Sequence, residues 1–231
     1  MRILLLELSP QITGAQKSLL TLARHLPGGP HQFGLLCTDP GLVGAQARAL
    51  GMETVPVSGI RPVSWWSLGR ALRHELLRGR VGILKRPLAC LSDLFRLGRA
   101  LSSWRPDLVH VNGWFFAQFI APWLRFRRIP LTFHLRDLDS PGEDTLTPRL
   151  LKWSRGQVAI SRTVKEYWIS RGLPGERITI IPNALEEDEF LAPPPQPPWL
   201  AGLKSAHPNS LWVGFPGQLC QRKGQDFLIR L

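Results

Sequence analysis

The chain has 231 residues, 44% of them hydrophobic, and a formal net charge of +12. This composition excludes disordered and fibrous proteins, and no apolar run approaches the roughly 18 residues of a transmembrane helix. Cys37, Cys90 and Cys220 are far apart and match no metal-ligand spacing, so we expect three reduced thiols in a cytoplasmic protein. The positive charge favours an anionic partner, which could be a membrane surface, a nucleic acid or a phosphorylated ligand.

The first sixty residues alternate between short apolar strands and amphipathic helices. We interpret the opening MRILLLELSP as a strand rather than a signal peptide, because Glu7 interrupts the apolar run and no small-residue cleavage site follows. The predicted strands cover 2–8, 32–37 and 54–57, and the predicted helices cover 15–26 and 44–50. This alternation predicts a doubly wound parallel sheet.

Residues 61–105 are strongly basic, with ten Lys or Arg and two acidic residues. Two basic amphipathic helices are predicted here, separated by Gly79 to Pro87. Their apolar faces comprise Trp65, Trp66, Leu68, Leu72, Leu76 and Leu77 in the first helix, and Leu88, Leu91, Leu94, Phe95 and Leu101 in the second. Two interpretations stay open: the helices lie on an anionic membrane, or they cover the sheet with a solvated basic face outward.

The alternation resumes after this segment and continues to a proline-rich stretch. Strands are predicted at 107–111, 130–134, 156–160 and 177–181, and helices at 114–124, 147–153 and 162–171, the last with Ser161 as its N-cap. We predict a first domain over 1–190 and a stiff linker over 191–209 that contains Pro193, Pro194, Pro195, Pro197 and Pro198. Residues 210–231 are predicted to hold a strand (211–215), a loop and the start of a helix at Gly224, as in a second α/β domain.

Ligands of open parallel sheets bind at the carboxyl ends of the strands, where four loops carry polar or small residues. They contain Gly14 with Gln16, Asn112 with Gly113, His134 with Arg136, and Ser161 with Arg162. In addition, Lys223 precedes a helix and could meet a phosphate. A solvated lysine and a structural histidine are the alternatives, and the loop acids Asp137 and Asp139 are typical of solvated surface rather than of a metal site. The sequence lacks a GxGxxG, a P-loop, a catalytic triad and a zinc signature.

Taken together, several motifs resemble the family 4 glycosyltransferases. They are ITGAQKSLLTLARHL (12–26), PDLVHVNG (106–113), LTFHLRD (131–137), VAISRTVKEYWISRGLPGERITIIPNAL (158–185) and VGFPGQLCQRKGQDFLIR (213–230). The resemblance implies the GT-B fold, in which two Rossmann-like domains face each other across a cleft. The expected fold class is therefore α/β: a Rossmann-like doubly wound parallel sheet that binds the acceptor, with an incomplete second Rossmann-like domain of the kind that binds the nucleotide.

The resemblance also implies an activity. A sugar would pass from a nucleotide-sugar donor to a lipid-linked, glycan or small-molecule acceptor, with retention at the anomeric carbon and without a cofactor or an essential metal. Such an enzyme would be cytoplasmic and peripheral on the inner face of the membrane. His134 and Lys223 match catalytic positions, on the transferred sugar and the leaving diphosphate respectively. The donor diphosphate is expected to contact Gly14, Gln218 and Lys223. The acceptor is expected to contact Gln16, Asn112, Arg136 and Ser161.

The sequence departs from the family pattern at several of these positions. Gln16 replaces a common glutamate, and Gln218 replaces an arginine, which removes one cation from the diphosphate site. Because most of the donor domain is missing from the match, we expect little or no transfer by residues 1–231 alone. The alternative is a non-catalytic basic α/β module that binds an anionic membrane, through residues 61–105, or a phosphorylated ligand. Nucleic acid is not an expected partner, because no recognised module is present.

Overall fold

The computed structural model describes residues 1–9, 11–26, 29–39, 41–58, 85–138, 146–187, 191, 196–215, 217, 219 and 223–230. The chain divides into two compact units, Met1–Glu186 and Glu187–Leu231. The first predicted basic helix (Trp65 to Leu77), Asp139, Pro193 to Pro195, Gln218 and Cys220 lie outside the described residues.

The first unit is built on a seven-stranded parallel sheet. Its strands run in the order β3-β2-β1-β4-β5-β6-β7, and every neighbouring pair is parallel. The strands are β1 Arg2–Glu7, β2 Gln32–Asp39, β3 Glu53–Ser58, β4 Leu108–Val111, β5 Leu131–Leu135, β6 Gly156–Ala159 and β7 Ile178–Ile180. The predicted α/β doubly wound parallel sheet is confirmed, with strand ends that differ from the predicted ones by one or two residues.

Helices cover both faces of this sheet. They are α1 Gly14–His25, α2 Leu42–Ala49, α3 Lys85–Trp104, α4 Ala117–Phe126, α5 Leu146–Leu151 and α6 Arg162–Ser170, with 3₁₀ turns at Trp114–Phe116 and Gly175–Arg177. Successive residues of β1 point to opposite faces. Leu5 packs with Leu19 of α1, whereas Leu4 and Leu6 belong to a larger cluster that includes Leu97 of α3. Two separate apolar cores follow, as expected for strands buried on both sides.

The turn after β4 explains why the predicted helix 114–124 begins as a 3₁₀ turn. Gly113 has φ of 151°, and a Cβ at this position would lie 2.6 Å from the Phe115 ring. A glycine is therefore required there, and the chain reverses so tightly that regular α-helix begins only at Ala117.

Helix α3 corrects part of the interpretation of the basic segment. Its residues Leu97, Leu101 and Trp104 are buried in the larger core, so this face of the helix covers the sheet. Phe95, predicted on the apolar face, is 73% exposed, because it is rotated by roughly 200° from Leu97 around the helix axis. Lys85 to Pro87, predicted to lie between the helices, already belong to α3. Within the described residues, no helix has the length and apolar character needed to cross a bilayer.

The second unit contains helices α7 (Pro198–Ala206) and α8 (Gln225–Arg230). Helix α7 falls inside the segment predicted as a linker. Pro198 does not prevent this helix, because it stands at the first position, where its missing N–H costs no hydrogen bond. The strand predicted at 211–215 is wrong: these residues are irregular and exposed. A strand needs a neighbour that takes up its backbone hydrogen bonds, and the described part of residues 187–231 contains no other strand.

Candidate functional site

The polar residues of the first unit converge where the strand order reverses, at the carboxyl ends of β1 and β4. The connection from β1 leads outward to β2, and β4 begins the series that runs the other way, so the place between the two strand ends is the one at which open parallel sheets have their ligand crevice. The Asn112 N–H donates to the Leu6 carbonyl at 3.0 Å, which places Asn112 directly beside Glu7.

Glu7 is fully buried and accepts three hydrogen bonds. Its Oε1 accepts from the Ser9 backbone N–H at 2.8 Å, and its Oε2 accepts from Gln16 Nε2 at 3.0 Å and from Asn112 Nδ2 at 2.6 Å. Burial raises the pKa of this carboxyl group, while the three hydrogen bonds and the nearby charge of Arg136 oppose the rise. The carboxyl group thus joins the loop after β1, helix α1 and the loop after β4.

Arg136 continues this network toward β5 and β7. Its Nε donates to Asn112 Oδ1 and its Nη1 to Asn183 Oδ1, both at 2.8 Å. The side chain is 7% exposed, and burial lowers its pKa to about 10 against the opposing charges of Glu7 and Asp137. The guanidinium group is therefore protonated at neutral pH and is held in a fixed orientation by two amide oxygens.

A pair of histidines lies beside this guanidinium group. Arg136 Nη2 lies 3.3 Å from His134 Nδ1, and the rings of His134 and His110 meet edge to face with centroids 5.6 Å apart. An arginine only donates, so His134 Nδ1 accepts and the proton of the neutral ring is on Nε2. Among the described residues His134 Nε2 has no hydrogen-bond partner, although the atom is buried. The ring therefore holds an unused N–H donor for an oxygen acceptor.

Both histidines are held in their neutral form. Burial lowers the pKa of His110 to about 4, with help from the positive charge of Arg136. The pKa of His134 falls to about 3 through burial, the charge of Arg136 and the charge that His110 acquires when it is protonated in acid. His110 Nδ1 lies 2.9 Å from the hydroxyl of Thr132, its partner across β4 and β5. The site therefore combines a fixed cation with neutral imidazole groups.

These pKa values predict an acid-sensitive fold. An unfolded histidine has a pKa near 6.5, so between this value and about 4 the unfolded chain binds a proton that folded His110 does not. The contribution of His110 to the free energy of unfolding is therefore fully present above pH 6.5 and is lost as the pH falls toward 4. We expect His110 to contribute a loss of roughly 3 kcal/mol in the free energy of unfolding by pH 4, measured by urea titration at a series of pH values.

The variant His110→Gln is the matched control for this pH dependence, because it keeps a polar atom for Thr132 and removes the titration. Its free energy of unfolding should fall less steeply below pH 6.5 than that of the wild type. Glu7 acts in the opposite sense in both proteins, since a raised carboxyl pKa lets acid favour the folded state. Parallel pH profiles of the two proteins would contradict the assignment to His110.

The beginning of helix α1 lies at the same edge of the sheet. Gln16 is buried, and its Oε1 accepts from the Thr13 backbone N–H at 3.0 Å while its Nε2 bonds to Glu7. Gly14 is exposed, and a Cβ there would meet no atom within 4 Å. Ser18 Oγ donates to Asn183 Oδ1 at 3.1 Å, which ties the helix to the turn after β7. The start of α1 at Gly14 is therefore sterically open to a ligand, although the Thr13 N–H already bonds to Gln16.

The structure brings together four of the predicted site residues: Gln16, Asn112, His134 and Arg136. Ser161 is confirmed as the N-cap of α6, since its Oγ accepts from the Val164 N–H at 3.2 Å. Lys223 belongs to the second unit, where it is exposed and precedes α8. The predicted roles of all these residues toward ligands stay predictions.

Sequence reasoning missed three members of the network: Glu7, His110 and Asn183. Glu7 carried a signal, because an acid at the end of an otherwise apolar buried strand needs partners. Asn183 stands in the IPN turn of the motif 158–185, but only the folded chain shows that this turn reaches Arg136. His110 has no comparable signal, since an alternating strand places a polar residue at this position routinely.

Comparison with known proteins agrees with this architecture. A family model described as Glycosyltransferase Family 4 matches residues 12–189, which include every member of the network except Glu7. The search of curated proteins found no match.

Among solved structures, Anabaena Alr3699/HepE in complex with UDP superposes with a TM-score of 0.67 and 19% sequence identity. The comparison covers 100% of this chain and 57% of that chain, so residues 1–231 span little more than half of the Anabaena protein. The lipopolysaccharide outer core galactosyltransferase WaaB superposes with a TM-score of 0.54 at 14% identity, covering 85% of this chain and 49% of its own. MurG of Acinetobacter baumannii gives 0.52 at 13% identity, covering 80% and 47%.

Proposed function

Because this chain belongs to glycosyltransferase family 4, we propose that it supplies the acceptor-side half of an enzyme that transfers a sugar from a nucleotide-sugar donor to an acceptor. The observation that carries the proposal is the unpartnered Nε2–H of His134 beside the fixed cation of Arg136. Sugars present hydroxyl oxygens, which accept such a hydrogen bond. A neutral imidazole and a guanidinium group at a crevice edge therefore fit a sugar better than they fit an apolar ligand.

The proposed donor is a UDP-hexose. Support comes from the Anabaena protein, which has been solved with UDP, with UDP and glucose, and with UDP-glucose. In this chain the open start of α1 at Gly14 would offer backbone amides to the diphosphate. As the glycosidic bond breaks, negative charge develops on the leaving diphosphate, and the ammonium group of Lys223 would stabilise it. No metal or cofactor has a part in this proposal.

On the acceptor side, Arg136 is the proposed direct contact, because two of its nitrogens are fixed and the group keeps its charge. Gln16 and Asn112 use their amide groups on Glu7, so we propose that they position the crevice wall and reach the acceptor only at its edge. The hydroxyl of Ser161 caps α6, so the proposed acceptor contact there is with the start of that helix. We further propose that the acceptor is lipid-linked or a glycan and that transfer retains the configuration at the anomeric carbon. The enzyme would work at the inner face of the membrane.

A transfer assay tests the proposal on the natural gene product that contains residues 1–231. Labelled UDP-glucose, UDP-galactose and UDP-N-acetylglucosamine are each supplied with a membrane lipid extract, and both UDP release and labelled product are measured. We expect one donor to turn over, and we expect His134→Phe to lower kcat/KM by about 10²-fold, because an aromatic ring remains at this position but the N–H donor is lost.

His31→Phe is the control for this variant. His31 is exposed and precedes β2, at the amino ends of the strands, whereas the crevice lies at their carboxyl ends. Equal activity of the wild type and His134→Phe would remove His134 from the site. If no donor turns over while the protein pellets with anionic vesicles, the non-catalytic basic module becomes the better assignment.

A further inference from the structure

A second concave site lies at the opposite edge of the sheet. It is a cavity of about 240 Å³ at the amino end of β5, next to Pro130 and Leu131. Leu135 ends the same strand roughly 13 Å away at about 3.3 Å per residue, and His134 and Arg136 are its neighbours in sequence at that end. The cavity is therefore separate from the crevice at the carboxyl ends of β1 and β4. The space is large enough for a compact polar ligand.

Three arginines and a tryptophan line this cavity: Arg125, Arg128, Arg155 and Trp153. The guanidinium group of Arg125 lies over the Trp153 ring, 5.5 Å from its centroid. In the part of the chain that the structure describes, no carboxylate forms an ion pair with any of the three arginines. Three like charges around one cavity repel one another, so an anion between them relieves an unfavourable interaction.

The backbone fixes the positions of these residues. Helix α4 ends just before Arg128, which adopts a left-handed conformation with φ of 57°, and the chain returns as Ile129 N–H donates to the Leu124 carbonyl at 2.9 Å. The Arg155 N–H donates to the Leu131 carbonyl, also at 2.9 Å. Arg128 and Arg155 are thus both placed at the amino end of β5. The backbone positions are therefore set before a ligand binds, and the exposed guanidinium groups of the three arginines are free to turn toward it.

We propose that this cavity binds a phosphate group, as a phosphomonoester or phosphodiester anion. Guanidinium groups bind phosphate oxygens through paired charge-assisted hydrogen bonds, and three of them together supply more donors than a single surface arginine. The indole of Trp153, 42% exposed, forms an apolar side to the cavity for the carbon skeleton next to the phosphate. The same chemistry is offered by a free phosphorylated molecule and by a lipid headgroup, and the two sources differ in their experimental behaviour.

The test uses the full chain of residues 1–231 in two arms. In the first arm, inorganic phosphate and glycerol 3-phosphate are titrated while the indole N–H resonance of Trp153, assigned with Trp153→Phe, is followed by NMR. In the second arm, the protein is sedimented with phosphatidylcholine vesicles that either contain or lack phosphatidylglycerol. Each arm compares the wild type with Arg155→Gln and with Arg127→Gln.

Arg127→Gln is the matched control, because Arg127 lies at the same helix end but bonds to Ser102 Oγ at 2.6 Å and stacks on Trp123 instead of lining the cavity. We expect Arg155→Gln to weaken binding about tenfold and Arg127→Gln to leave it within about twofold. An effect confined to the soluble phosphates identifies a free ligand, and an effect confined to the phosphatidylglycerol vesicles identifies a headgroup. Equal losses in the two variants, or no binding in either arm, would overturn the proposal.

Discussion

Replacing Glu7 by leucine is expected to lower the free energy of unfolding by about 3–5 kcal/mol. The substitution keeps the strand apolar and nearly isosteric, but it removes one of the two carboxyl groups, Glu7 and Asp137, whose charge opposes that of the buried Arg136 cation. It also removes the acceptor of three donors, which are the Ser9 N–H and the amide groups of Gln16 and Asn112. Unsatisfied buried donors add the cost of their desolvation. The measurement is urea unfolding of residues 1–231 at neutral pH.

Two further variants separate this network from general effects of losing a charge. Glu7→Gln retains one acceptor oxygen and should cost about 1–3 kcal/mol, less than the leucine variant. Glu53→Leu is the control in another strand of the same sheet: Glu53 is exposed and bonds only to Gln32 in the described residues, so its replacement should change stability by about 0.5 kcal/mol or less. Comparable losses for Glu7→Leu and Glu53→Leu would show that the buried carboxylate has no special part in holding the site.

The second large effect is expected on catalysis. In the natural gene product, Lys223→Ala should lower kcat by about 10²–10³-fold, which is typical for the loss of one group that stabilises charge in a transition state. The midpoint of thermal unfolding should stay unchanged, because the Lys223 side chain is exposed. The assay is steady-state turnover of the UDP-sugar that the wild type uses, with calorimetry of both proteins.

Lys204→Ala serves as the control for Lys223→Ala. Lys204 is exposed on α7 of the same unit, so the variant has the same net charge without a change near α8. It should keep the full rate. Wild-type kcat in Lys223→Ala would exclude the ammonium group from the reaction. Equal losses in both variants would instead point to a general effect of the positive charge on binding the donor.

Most of the fold could be predicted from the sequence because its signals are local. The apolar run of β1 and the spacing of leucines in α1 are read within a dozen residues, and they identify the doubly wound sheet. The failures are also physical. The stretch 211–215 has the composition of a strand but no partner strand in the described part of its unit. Helix α7 follows a proline-rich stretch that hides a good helix start.

The candidate site was predictable only in part. Its place at the carboxyl edge follows from the parallel topology, and His134 and Arg136 were identified by position and by resemblance. Their electrostatic state was not predictable, because the low pKa of His134 depends on burial and on a cation that the fold brings next to it. The arginine cavity was not predictable either, since Arg155 is separated from Arg125 and Arg128 by β5 and a further helix.

The amino-acid sequence by itself determined the α/β class, the order of the elements and the family to which the chain is similar. These properties depend on hydrophobic periodicity and on short motifs, and both can be recognised without knowing which distant residues are in contact. Only the tertiary structure decided that Glu7, Asn112, Arg136 and Asn183 form one hydrogen-bonded chain. Glu7 and Asn112, which are 105 positions apart in the sequence, meet there. The pairing of a buried charge depends on distances in space that no local sequence pattern encodes.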